Sequence, residues 1–214
     1  MNLPAAIKRI QFRTKELNDF TEYLYHPLIG LFYRHRFEMV RGLLDNKYDN
    51  ILEIGFGPGA LLPTLAGRCS MLYGIDIHND VDKVGLVMKE CGVKNIQLFF
   101  GDIRNMPFKD KAFNLVVCQS VLEHIKDLEL AVNEISRVLK KGSSAIIGFP
   151  IRNKLSKALF AILGYDDKEI HPSGHKEILT NAKKKLALER SILYPKIFGL
   201  DNALYFVGKF RNEA

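Results

Sequence analysis

From residue 50 onward, short apolar runs alternate with amphipathic stretches, and this alternation leaves the chain few folds. Ile51–Ile54, Met71–Ile75, Ile96–Phe100, Leu115–Cys118 and Ala145–Phe149 are near-continuously apolar, as strands buried on both faces of a parallel sheet must be. Val81, Val84, Val87, Met88 and Cys91 share one helical face, with Asp80 before them as a candidate N-cap and Gly92 after them. Leu128, Ala131, Val132, Ile135, Val138 and Leu139 form a second stripe, opened by Asp127 and closed by Lys140, Lys141 and Gly142, in line with helix-end preferences. Strand–helix alternation implies right-handed crossovers and a doubly wound α/β sheet. Two helical stretches follow, near Leu155–Leu163 and Lys176–Leu186, and then two strand-like runs, Leu188–Leu193 and Ala203–Phe210, around the turn-forming segment Phe198–Asn202. These predict a closing hairpin, hence a seven-stranded, mostly parallel sheet with an antiparallel last strand.

Residues 1–48 have a different texture. Phe12, Phe20, Tyr23, Tyr25, Phe32, Tyr33 and Phe37 interleave with Lys8, Arg9, Arg13, Arg34 and Arg36, and Pro27 divides the segment into two helices. The expected organisation is an N-terminal helical cap over 1–48 and an α/β domain over 49–214, one globular unit. At 214 residues with 47% hydrophobic side chains, one sizeable core is expected. No apolar run reaches the roughly 18 residues that span a bilayer, and Met1–Arg13 lacks a secretory pattern, so the expected location is cytoplasmic. Cys69, Cys91 and Cys118 are scattered, which fits neither a disulfide framework nor a zinc site, and no metal is expected. The net charge of +7 is carried by the two ends: residues 51–150 are neutral, 1–50 carry +2 and 151–214 carry +5. Basic ends around a neutral middle could meet an anionic partner, a nucleic acid or a membrane surface, but a solvated basic surface is the preferred account of them.

The chemistry-bearing residues fall where apolar runs end. The first run leads into Glu53-Ile54-Gly55-Phe56-Gly57-Pro58-Gly59-Ala60, a turn whose glycines let backbone N–H groups approach a carboxylate or phosphate. Alone it is a weak signal, since Gly55, Gly57 and Ala60 also satisfy the GxGxxA dinucleotide pattern. The second run ends in Gly74-Ile75-Asp76. A carboxylate there can accept from two ribose hydroxyls, which implies an adenosine-type ligand. The third ends in Gly101-Asp102-Ile103, where a carboxylate and a backbone N–H match the donor and acceptor edge of adenine. Asp76 as a helix cap and Asp102 as a turn former are the structural alternatives.

Taken together, ILEIGFGPG at 51–59, GID at 74–76, GDIRNMPF at 101–108, FNLVVCQSVLEHIKD at 113–127 and ISRVLKKGS at 135–143 make the chain resemble the class I S-adenosylmethionine-dependent methyltransferase family, in particular its small-molecule, type 11-like branch. The resemblance covers about half the chain and implies a Rossmann-like fold with S-adenosyl-L-methionine as cofactor. It implies that Gly55, Gly57 and Gly59 cradle the methionine portion and that Glu53 supports the turn and the amino group. Asp76 would hold the ribose, Ile77 would pack on the adenine, Asp102 with Ile103 would read its edge, and Gln119 would line the methionine side. Two residues depart from the pattern: His78 stands where small or acidic residues are usual, and Ser143-Ser144 replaces a frequent Gly-Gly.

Methyl transfer needs the acceptor held in line with the sulfonium, and hydroxyl acceptors also need a base. His124, after the fourth strand, is the first candidate, against a structural role in capping its short helix. His171 and His175 around Pro172-Ser173-Gly174, and Tyr25 with His26, are secondary candidates. Neither NPPY/DPPY nor a Pro-Cys pair follows the fourth strand, which disfavours nucleic-acid acceptors and leaves a small-molecule or lipid-like one. The N-terminal helices could form a lid, touch a membrane or serve only as a cap. Competing readings are an NAD-dependent oxidoreductase, which leaves Asp102 unexplained, and a non-catalytic S-adenosylmethionine-binding subunit. Aminopropyl transfer would call for acids where Gln119-Ser120 stands.

Overall fold

The computed structural model describes residues 5–8, 11–13, 15–27, 29–45, 47–153, 156, 172–196 and 199–213. His171 and, apart from Ser156, the helix expected near Leu155–Leu163 lie outside them. The described chain begins with three helices, α1 (Ala5–Lys8), α2 (Lys15–Tyr25) and α3 (Ile29–Arg41). There follow β1 (Tyr48–Ile54), α4 (Leu62–Ala66), β2 (Cys69–Asp76), α5 (Val81–Glu90), β3 (Ile96–Phe100) and β4 (Phe113–Gln119). A 3-10 turn over Leu122–His124, α6 (Leu128–Val138), β5 (Leu139–Pro150), α7 (His175–Lys185), β6 (Leu186–Tyr194) and β7 (Tyr205–Asn212) complete it.

The seven strands form one sheet in the order β3-β2-β1-β4-β5-β7-β6. β1 through β5 pair in parallel, and β7 runs antiparallel to both β5 and β6. The doubly wound sheet with an antiparallel last strand is therefore as expected. Successive side chains of a strand point to opposite faces, so Ile51, Leu115, Val117 and Ile146 bury against α1–α5, with Leu24, Phe37 and Val40 among their neighbours. Leu52, Val116, Cys118 and Ile147 bury on the other face against Ile135, Val138, Ile178 and Ala182 of α6 and α7. Both faces being covered explains the continuous apolar runs.

Helix ends differ from the expectation. α6 stops at Val138 and β5 begins at once, so Lys140, Lys141 and Gly142 belong to the strand and do not cap the helix. The end of α6 is met instead from β7: the Asn212 side-chain amide donates to the carbonyls of Ser136 and Leu139, each at 3.1 Å. Ser143 and Ser144 likewise lie within β5. Asp80 stands at the start of α5 without capping it through its side chain. Its carboxylate accepts from the Arg13 backbone N–H at 2.6 Å and pairs with Lys83 at 3.1 Å, tying the N-terminal segment to α5.

Candidate active site

The carboxyl ends of β1, β2 and β4 converge on the glycine turn. Gly55 has φ 73°, a left-handed backbone that favours glycine. A methyl group on its Cα would lie 2.2 Å from Val121 Cγ2. The turn and the segment after β4 are therefore in direct contact. Gly57 and Gly59 also have positive φ, 51° and 86°. A methyl at Gly59 would meet Val84 Cγ1 at 2.9 Å, so this glycine lets α5 pack against the turn.

Asp76 closes the turn from β2. Its Oδ2 accepts from the Gly57 N–H at 2.7 Å, and its Oδ1 from the His78 N–H at 3.3 Å. His78 itself is buried. Its Nδ1 accepts from the Asp80 N–H at 3.1 Å, which leaves the ring proton on Nε2 to donate to the Gly57 carbonyl at 3.0 Å. The departure at this position thus has a structural reason: His78 bridges the start of α5 to the middle of the glycine turn.

Glu53 is buried, and its Oε2 has no hydrogen-bond partner among the described residues. Burial first, then the charge of Asp76, pushes its carboxyl up to about 8. An orphaned acid of this kind is suited to meet a cationic group.

At the next strand end, the Gly101 N–H donates to the Asp76 carbonyl at 2.9 Å, which sets Asp102 beside Asp76. Asp102 is gripped by Arg104, whose Nη2 donates at 2.6 Å, Nε at 3.0 Å and backbone N–H at 2.8 Å. The guanidinium holds the Asp102 carboxyl below its usual range. Ile103 is buried in the core. Ile77 is 69% exposed, an apolar side chain in solvent next to Asp76.

At the end of β4, Gln119 carries a buried Nε2 with no partner among the described residues. Ser120 has φ 57°, rare for a residue with a side chain. Its hydroxyl lies 2.7 Å from the Tyr205 hydroxyl and accepts from Arg36 Nη2. Arg36 comes from α3, is buried, and lies over the Tyr205 and Tyr33 rings at 4.2 and 4.9 Å. His124 is exposed on the outer side of the 3-10 turn, whereas Leu122 and Glu123 beside it are buried.

The secondary candidates separate from this cluster. His175 is buried at the start of α7, where its Nδ1 accepts from the Arg152 N–H at 3.2 Å. It joins the segment after β5 to α7 and is not part of an open loop. His26 accepts from the Ile29 N–H at 3.2 Å, which closes the start of α3. Tyr25 is half-buried, with Lys8 5.8 Å above its ring. Arg36, Ser120 and Tyr205 were not singled out from the sequence. A signal existed, because Phe32, Tyr33, Arg36, Phe37 and Val40 fall on one helical face, and a charge on an apolar stripe calls for a buried partner.

A family model described as "Methyltransferase domain" matches residues 52–147, the span from Leu52 of β1 to Ile147 of β5. An uncharacterised methyltransferase of Bacillus subtilis, YcgJ, is 29% identical over 92 residues, covering 42% of this chain and 36% of that protein. Demethylmenaquinone methyltransferase of Staphylococcus carnosus is 35% identical over 85 residues, covering 40% and 35%. The chain thus spans about a third of the length of these curated relatives. Among solved structures, the N-methyltransferase NodS of Bradyrhizobium japonicum, in complex with S-adenosyl-L-homocysteine, superposes with a TM-score of 0.66 at 19% identity, covering 94% of this chain and all of that one. That likeness is one of fold. The matched segment holds the glycine turn and the acidic strand ends, and over it the chain is similar to the methyltransferase domain family.

Proposed function

We propose that the chain binds S-adenosyl-L-methionine across the carboxyl ends of β1 to β4 and directs its methyl group to a small-molecule or lipid-like acceptor. The observation that carries the reading is the linked set of Glu53, Gly55, Gly57 and Asp76. A buried acid without a partner and a glycine turn held open by a neighbouring carboxylate fit an adenosyl ligand that bears an ammonium group. When bound, that ligand supplies an electrophilic sulfonium methyl.

The side chains have distinct tasks in this reading. Glu53 takes the ammonium group, and the backbone of Gly55 to Gly59 frames the methionine portion. Asp76 has lone pairs to spare after its two backbone bonds and takes ribose hydroxyls. Ile77 covers the adenine, and Asp102 with the Ile103 N–H reads its edge once Arg104 yields. Gln119 borders the methionine side. His124 serves as base for an acceptor that must lose a proton, and holding the reactants in line contributes most of the acceleration.

The acceptor class rests on the missing nucleic-acid motifs after β4 and on the quinone named for one relative. A cytoplasmic location belongs to the same proposal; no helix among the described residues is long and apolar enough to cross a membrane. The oxidoreductase alternative is not favoured, since the family match lies on methyltransferases. Calorimetric titration with S-adenosyl-L-homocysteine tests the reading directly. Saturable one-site binding is expected. No heat with either this compound or S-adenosylmethionine, together with NADH fluorescence that responds to the protein, would overturn it.

A further inference from the structure

At the acceptor side of the site, several buried nitrogens lack a hydrogen-bond partner. Arg36 Nε, Gln119 Nε2 and His35 Nε2 are all without one among the described residues. The first two are obligatory N–H donors, and the third donates in one of its tautomers. They share one neighbourhood. A methyl placed on Gly148 would touch Tyr205 Oη at 3.2 Å and Gln119 Cγ at 3.3 Å. Arg36 Nη2 donates to that same Tyr205 hydroxyl at 3.2 Å. His35 lies 4.3 Å, ring to ring, from Tyr194, which pairs with Tyr205 across β6 and β7. Phe32 borders both, at 5.7 Å from Tyr194 and 6.2 Å from Tyr205.

Three donors of this cluster are left over among the described residues. The hydroxyls of Ser120 and Tyr205 already serve Arg36 Nη2, and the buried Glu123 lies near enough for its charge to favour the charged guanidinium. The remaining donors need lone pairs from outside, and buried donors left unmade are costly, about 1–3 kcal/mol each. A planar oxyanion supplies several lone pairs at once and matches a guanidinium edge. The surrounding rings favour a flat apolar body behind it. In the reading above the cofactor lies across the ends of β1 to β4 with Gln119 on its methionine side, and Arg36, over the end of β4 and the start of β7, adjoins that side.

We infer that Arg36, with Gln119 and His35, anchors the carboxylate of the methyl acceptor, so that the substrate is an organic acid with an apolar, flat body. This inference rests on the methyltransferase reading above. It assigns Arg36 a role in specificity beyond fastening α3 to the sheet.

The test uses the full chain saturated with S-adenosyl-L-homocysteine and paired probes, benzoate against benzamide and 2-naphthoate against 2-naphthamide, read by thermal shift. Each acid should raise the Tm of the wild-type complex more than its amide, and Arg36→Gln should abolish the difference while changing homocysteine-cofactor affinity by less than about threefold. Two results overturn the inference. In the first, acids stabilise the wild type no more than amides, a readout that stands even if the variant fails to fold. In the second, Arg36→Gln or Arg36→Lys loses about tenfold or more in affinity for S-adenosyl-L-homocysteine but none for 5′-methylthioadenosine, which lacks the carboxylate; that would assign Arg36 to the cofactor. If the wild type binds no S-adenosyl-L-homocysteine, it is the methyltransferase reading that falls.

Discussion

Asp76 at the end of β2 and Gly57 in the turn after β1 are joined by a 2.7 Å hydrogen bond from the glycine N–H to the carboxylate. One side chain therefore both shapes the glycine turn and offers its remaining lone pairs to a ligand. Asp76→Ala is expected to weaken S-adenosylmethionine binding by about tenfold or more, with the fold retained. Calorimetry on the variant checks this, and circular dichroism confirms the fold. Unchanged affinity would remove Asp76 from the site.

The buried acid of Glu53 makes stability depend on pH in a defined direction. Its carboxyl titrates at about 8 in the folded protein, against 4.5 ordinarily. Between these values the folded state keeps a proton that the unfolded chain has released, so stability falls as pH rises through this window. The cost at the alkaline end is on the order of a few kcal/mol. Glu53→Gln should flatten the decline in urea midpoints between the two pH values. A cationic ligand favours the ionised acid, so binding at neutral pH should release protons, visible as a dependence of the calorimetric heat on the buffer.

Gly55→Ala should be poorly tolerated for two separable reasons. The left-handed backbone costs about 1–2 kcal/mol for any other residue, and the added methyl would run into Val121 Cγ2 at 2.2 Å. Val121→Ala in the same chain should recover the steric part alone. Chemical denaturation of both variants measures the split; full recovery in the double variant would show that the backbone is not strained.

Arg104 competes for the carboxylate that is proposed to read adenine. The pair is exposed, so breaking it costs little. Arg104→Ala should therefore tighten binding of S-adenosyl-L-homocysteine by roughly two- to fivefold, while Asp102→Asn weakens it. Weaker binding in Arg104→Ala would mean that the arginine itself contacts the ligand.

The sheet and its strand ends could be read from the sequence because apolar runs such as Ile51–Ile54 report burial directly, and because Glu53, Asp76 and Asp102 sit at fixed offsets from them. Helix termini were less legible. Lys140 to Gly142 look like a helix end, yet α6 is closed by Asn212, more than 70 residues away along the chain, and no local pattern encodes a partner that distant. His78 was opaque for the same reason, since its bond to Gly57 spans two strands. Arg36 stood on an apolar stripe in plain view, but its partners Ser120 and Tyr205 are brought to it only by the sheet order. Pro172 and Gly174 beside His175 mark a loop in the sequence, yet His175 is buried at the start of α7 and its Nδ1 accepts from the Arg152 N–H.

The sheet order places β7 between β5 and β6, and β6 has β7 as its sheet neighbour. During synthesis, residues 186–194 thus leave the ribosome before the segment that must dock between them and the growing sheet. Until residues 205–212 emerge, β6 carries backbone groups with no ladder to join and β5 presents an open edge. The nascent chain therefore passes through an interval in which a hydrophobic border is bare.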